Sequence, residues 1–336
     1  MGAIIDARRT YASERLDKLA AELTTAETII GDKACVYITG SGARGELTQH
    51  SDLDLFIVSD VEVRREKRPP GEDAKPRLRR LDSIVVKAEL IRATKKLEFP
   101  PFSGDGRYLE AYTTEELTEN LGRAEDDHSN TFTARLLLLL ESRPLLGATF
   151  YKQVIDDVIA PYWRDYDERQ DSFRPVFLMN DILRLWKTFC VNYEAYTEQQ
   201  PDEKRAKRKL KNYKLKHSRV LTCYTALLYL MQTFAEKGTV HPNDVREMVS
   251  QSPTQRLEWI AGRPNFAHVE TISKILASYE RFLERTNKKE EELVSLFMDK
   301  GRAKEFTNDA HQIGDTVSDL LKKMGPGNAL YRYLIV

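Results

Sequence analysis

Between Val36 and Val58 the chain reads VYITGSGARGELTQHSDLDLFIV, and this stretch constrains the fold more than any other. Two apolar segments, 34–39 and 53–58, have the β-branched and aromatic content of strands. A Gly40-Ser41-Gly42 turn follows the first, and a short helix near 43–49 precedes the second. Side chains alternate along a strand, so Asp52 and Asp54 share one face while Leu53, Leu55 and Ile57 share the other. Two carboxylates that close repel each other unless a cation lies between them. The Gly-Ser turn can offer backbone N–H groups and a hydroxyl to an anion. A phosphate cradle facing a metal-binding carboxylate pair is the apparatus of phosphoryl or nucleotidyl transfer. The alternative is a glycine turn capping a helix beside an acidic strand end.

The Gly-Ser turn joined to Ser51-Asp52-Leu53-Asp54 resembles the signature of the DNA polymerase β-like nucleotidyltransferase superfamily. The extended form looks most like the branch that includes the uridylyltransferase domain of the nitrogen-regulatory GlnD proteins. That resemblance implies that Gly40 and Ser41 hold a triphosphate. It implies that Asp52 and Asp54 hold two Mg²⁺ ions, with Mn²⁺ as an alternative, and oxygen ligands suit Mg²⁺. It further implies a third carboxylate on a neighbouring strand. Glu110, in Leu109-Glu110-Ala111-Tyr112, is the candidate, with Asp105 and Asp82 as rivals; without a third ligand the site would be weakened or purely binding. Ser51 is expected to orient the loop. Arg44 either reaches a phosphate or pairs with Glu46 or Asp52. Related enzymes bring a Lys and a Ser from a helical domain onto the triphosphate; Lys214 and Ser218, one helical turn apart, are the candidates here.

The 336 residues suffice for two domains. The resemblance implies an α/β nucleotidyltransferase core, a polymerase β-like mixed sheet with helices, and the core is expected over residues 1–125. From about residue 131 the apolar period is helical almost throughout, which predicts an all-α helical domain over 126–324. Within the core, 9–30 reads as one helix and 64–80 as a charged, proline-rich loop, either a solvated surface or a basic flap. Asp82-Ser83 reads as the cap of a helix running to about Leu97, with Ile84, Val85, Ala88 and Ile91 on one face. Tyr108–Tyr112 reads as a short strand, and Thr113-Thr114-Glu115-Glu116 as a capping box. In the helical domain, Asn180, Asp181, Arg184 and Lys187 form a polar group, read as interhelical hydrogen bonding or substrate contact. The basic run 204–219 is a solvated face or a contact for a polyphosphate or nucleic-acid backbone. Residues 325–336, GPGNALYRYLIV, read as a tail: either a plug packed on the core, or a carrier of Tyr331 or Tyr333 as a nucleotide-accepting phenol.

Lys plus Arg equals Asp plus Glu at 52 each, so net charge gives no argument for a polyanionic partner. Three scattered cysteines form neither a disulfide framework nor a metal motif and fit a reducing compartment. The N-terminus lacks a signal-peptide apolar region, and Leu136–Leu140 is too short to span a bilayer. A soluble, cytoplasmic protein, not membrane-embedded, is expected. The predicted activity is Mg²⁺-dependent transfer of an NMP or dNMP from a nucleoside triphosphate, ATP or dATP favoured, to a hydroxyl. The whole-chain plan is similar to stand-alone bacterial nucleotidyltransferases, some of them Hailong-type anti-phage enzymes that make oligonucleotide signals controlling an effector protein. Alternatives are a protein- or tRNA-modifying transferase of a toxin–antitoxin system and a non-catalytic nucleotide-binding module.

Overall fold

The computed structural model describes residues 2–69, 71–102, 106, 109–194 and 202–335; the rival ligand Asp105 and the strand residue Tyr108 lie outside them. The chain divides into two compact units, Ala7–Arg164 and Met1–Asp6 with Asp165–Val336.

The first unit is built on a four-stranded mixed sheet in the order β3-β2-β1-β4. Its strands are β1 (Ala34–Thr39), β2 (Asp54–Ser59), β3 (Ala111–Thr113) and β4 (Arg143–Leu146). β1 runs antiparallel to β2, from Ala34↔Ser59 to Thr39↔Asp54, and antiparallel to β4. β3 runs parallel to β2, with Ile57 opposite Ala111. β4 falls within the stretch from about residue 131 where an all-α domain was expected. Pro144 cannot continue a helix but is tolerated on an edge strand, which explains why a helical period failed to mark it.

Alternation gives the sheet two apolar faces. On one, Val36, Ile38, Leu55 and Ile57 pack with Leu16, Leu19, Leu23, Val86 and Leu90 from α1 (Ala3–Ala21), the segment after it and α4 (Arg80–Lys96). On the other, Tyr37 stacks on Phe56 at 5.3 Å between ring centroids. Phe56 in turn meets Tyr112 at 6.2 Å, and the Tyr37 hydroxyl donates to the Ala134 carbonyl of α7 (Thr131–Leu140). An aromatic ladder thus crosses β1, β2 and β3.

The helix expected over 9–30 is two, α1 and α2 (Thr24–Ile30), because Thr24-Thr25 favours a start over an interior. α3 is Gly40–Arg44, earlier than the expected 43–49. α4 begins two residues before the Asp82-Ser83 pair, and Arg79 occupies its N-cap without a side-chain hydrogen bond. α5 (Thr114–Glu119) has the expected capping box: Glu116 N–H donates to Thr113 Oγ1 and Thr113 N–H to Glu116 Oε2. Next in the chain come α6 (Ala124–His128), α7 and α8 (Ala148–Ile159).

The second unit is helical, and its described residues hold no strand. It contains α9 (Val176–Glu194), α10 (Asp202–Lys214), α11 (Val220–Lys237), α12 (Pro242–Ser250), α13 (Pro253–Ala261), α14 (Val269–Arg285), α15 (Glu290–Met298) and α16 (Lys300–Met324). Its core gathers Leu221, Leu228, Ile272, Ile275, Phe282, Phe297, Phe306, Ile313 and Leu320. A π-helical turn, Leu215–Arg219, joins α10 to α11; nothing in the periodicity announced it.

Candidate active site

The Gly-Ser turn begins where β1 ends. Gly40 has φ +66°, in the left-handed region, where glycine carries no steric penalty. A Cβ at this position would stand 2.6 Å from Asp54 Oδ2. The backbone of the turn and the Asp54 carboxylate therefore meet directly across the β1–β2 pair, where Thr39 is Asp54's register partner. A Cβ on Gly42 would lie 2.5 Å from Ile38 Cγ2, so the second glycine seats the turn on the core below.

Asp54 opens β2 and is half-buried; Asp52 precedes the strand and is also half-buried. Leu53 and Leu55 are both buried, at 3% and 1% exposure, so the apolar side of this alternating segment faces the core. Ser51 closes the turn ahead of the pair: its Oγ accepts from Thr48 N–H at 3.0 Å.

Arg44 is buried. Its Nε donates to Glu46 Oε2 at 2.8 Å and its Nη1 to Glu141 Oε2 at 3.0 Å. This cluster ties the end of α3 to the end of α7. Sequence reasoning missed Glu141; the available signal was an acid ending the Leu136–Leu140 run. Glu110 is exposed and immediately precedes β3. Parallel register would carry it beside Phe56, on Asp54's side of the sheet. Asp82 lies in the first turn of α4, not on a strand.

Among the described residues, no three His, Cys, Asp or Glu side chains are gathered as metal ligands; Glu110 thus does not join Asp52 and Asp54 in a closed set. Two aspartates still fit Mg²⁺, which is commonly held by one or two carboxylates together with substrate phosphates.

In the helical unit, Lys214 is exposed at the end of α10, whereas Ser218 is buried in the π turn. Tyr279 Oη donates to Ser218 Oγ at 3.4 Å. Exposure thus divides the two residues that were expected to present one face together. Tyr331 and Tyr333 lie in a 3₁₀ turn, Tyr331–Leu334. A Cβ on Gly325 would lie 2.6 Å from the Tyr331 ring, so that tyrosine packs on the glycine hinge. The Tyr333 hydroxyl accepts from Arg332 Nη2 at 3.0 Å. Hydrogen bonding to Arg174, then to Arg332, holds its phenol below the usual tyrosine range. Asn180, Arg184, Lys187, Tyr333 and Leu334 line a groove of about 430 Å³. Asp181 is buried beside it.

In the basic loop, Arg64 pairs with Asp157 at 3.1 Å, and Arg65 and Arg68 pair with Glu119 and Glu115. Burial pushes the Cys35 thiol well up and Cys223 up to about 12, leaving both as packing residues.

A mixed sheet that sets a glycine turn against a strand-borne aspartate fits a nucleotidyl-transfer domain. Residues 16–117 match the family model of the nucleotidyltransferase domain. The chain carries that domain, which supports a nucleotidyltransferase activity and is in keeping with the polymerase β-like superfamily. Neither a curated protein nor a solved structure gives a significant match. Among the described residues, no helix is long and apolar enough to cross a membrane.

Proposed function

We propose that the chain transfers a nucleoside or deoxynucleoside monophosphate from its triphosphate to a hydroxyl and releases pyrophosphate. The observation that supports this reading is the close approach of Gly40 and Asp54: a Cβ on the glycine would stand 2.6 Å from the Asp54 carboxylate, so the turn adjoins the acid. Gly40 and Ser41 bind the triphosphate, and Asp52 and Asp54 hold the Mg²⁺ ions. Bound Mg²⁺ would lower the acceptor hydroxyl's pKa and balance the charge of the leaving pyrophosphate. The acceptor oxygen forms the new bond to the α-phosphorus, the bond to the bridging oxygen of the β-phosphate breaks, and Glu110 takes the acceptor's proton. Arg44 supports the turn through Glu46 and Glu141.

For the acceptor, the observations favour Tyr333 over Tyr331. A lowered phenol pKa raises the phenolate fraction, and two guanidiniums orient the oxygen. Self-priming on Tyr333, with ATP or dATP as donor and an oligonucleotide signal acting on an effector in anti-phage defence, is the fuller form of the proposal; its defence context rests on the resemblance alone. A second reading, a nucleotide-binding module without catalysis, is favoured by the exposed Glu110 and the unclosed ligand set.

The test offers the purified chain Mg²⁺ with each NTP and dNTP, and records both free products and intact protein mass. Transfer should vanish in Asp52→Ala/Asp54→Ala. A mass gain lost in Tyr333→Phe but kept in Tyr331→Phe supports self-priming. Saturable nucleotide binding with neither free product nor mass gain, for any nucleotide, would overturn self-priming and point to a separate acceptor, such as tRNA or a partner protein, or to the binding module.

A further inference from the structure

The face of α4 that the sequence marks as apolar is not the face that packs on the core. Its buried side is Ser83, Val86, Leu90, Ala93 and Thr94. On the opposite side Leu81 is 75% exposed, Ile84 53%, Val85 41% and Ile91 39%. These are four of the nine large hydrophobic residues exposed among the described residues, and they share one helix. Leu81, Ile84, Ala88 and Ile91 recur at i, i+3, i+7 and i+10, the a and d spacing of two coiled-coil heptads. At about 1.5 Å per residue the seam is roughly 15 Å long.

Charge decides what covers it. In that register Arg80 and Lys87 occupy g positions and Arg92, which pairs with Glu89 at 2.8 Å, an e position, so cations predominate on the seam's flanks. Lys95, exposed, takes the next a position. A second copy of this chain would set these cations against each other: in a parallel pair Lys87 faces Arg92, and in an antiparallel pair Lys87 lies near its own copy. A lipid surface fits less well, because the seam has no aromatic residue and Asp82 and Glu89 stand beside it. We propose that this face of α4 docks an α-helix of a partner protein, one with an apolar a/d ridge flanked by carboxylates at e and g.

The test uses fluorescein-labelled synthetic helices of three heptads, with Leu at a and d and either Glu or Lys at e and g. They are titrated with the full chain by anisotropy. The Glu peptide should bind saturably and about ten-fold or more tighter than the Lys peptide. Ile84→Gln/Ile91→Gln should weaken it about ten-fold or more with Tm unchanged, and Lys87→Glu/Arg92→Glu should invert the preference. Equal binding of both peptides, or binding of neither, overturns the proposal. So does a concentration-dependent dimer, or retention on phosphatidylserine vesicles, that Ile84→Gln/Ile91→Gln abolishes while the parent ignores the Glu peptide.

Discussion

Gly40 and Asp54 act as a pair: the space a side chain would take at one is filled by the carboxylate of the other. Gly40→Ala should therefore fail twice. It forces a non-glycine residue to φ +66°, a strain of about 1–3 kcal/mol, and it drives the Asp54 carboxylate from its place. Thermal melts of Gly40→Ala should show that loss of stability, and nucleotidyl transfer should drop about 100-fold or more; Gly45→Ala should lower Tm with much less effect on transfer. His217 makes a different prediction. Its ring is stacked on Phe282 at 4.6 Å, and burial pushes its pKa down to about 4. An unfolded histidine titrates near 6.5, so below that pH the unfolded chain binds the proton more readily than the native one. Stability is full above about pH 6.5 and is lost as pH falls toward 4. By about pH 5 the loss from this group approaches 2 kcal/mol. Urea midpoints at neutral pH and near pH 5 test this: His217→Leu should remove that share of the acid-side decline.

At the scale of elements, α6 and α7 are held by one buried ion pair. Arg135 Nη1 and Nη2 donate to the two oxygens of Asp126 at 2.8 and 2.6 Å, both side chains fully buried. Arg135 Nε also donates to Tyr162 Oη at 3.0 Å. Removing one member strands the other, so Asp126→Ala should destabilise the first unit by about 3–5 kcal/mol, read as a lower denaturant midpoint; Asp126→Ala/Arg135→Met should recover part of it. Elements with a strong local signature were legible in the sequence: the two central strands, the Thr113 capping box and the helical run of the second unit. What escaped has a common physical cause. β4 is an edge strand whose pairing is non-local, the π turn is one residue's change in winding, and the outward face of α4 carries the same apolar period as a core face. Periodicity reports that a stripe exists, but not which body it meets. The alternation of Asp52-Leu53-Asp54 was legible, since Leu53 is buried and both aspartates are half-buried. Glu141's grip on Arg44 was not, since 97 residues separate them.

At the scale of the molecule, each unit has its own buried cluster, one around the sheet and one among α10–α16. A fragment of residues 7–164 should therefore give a cooperative melt and native-like circular dichroism; a non-cooperative melt would show that its core is insufficient alone. The sheet's connectivity has one more consequence, for the order of assembly. β1 and β2 are joined by a short local connection, whereas β3 reaches β2 only after an excursion that includes all of α4. Closing the longer loop costs more chain entropy, and local pairings form first. The glycine turn and Asp54 thus come together early, and the three-residue edge strand that follows Glu110 docks later. The same asymmetry persists in the native state. Amides of Ala111–Thr113 should exchange with solvent much faster than those of Val36–Ile38, so that Glu110 can leave the sheet and return while the Asp54 corner stays closed.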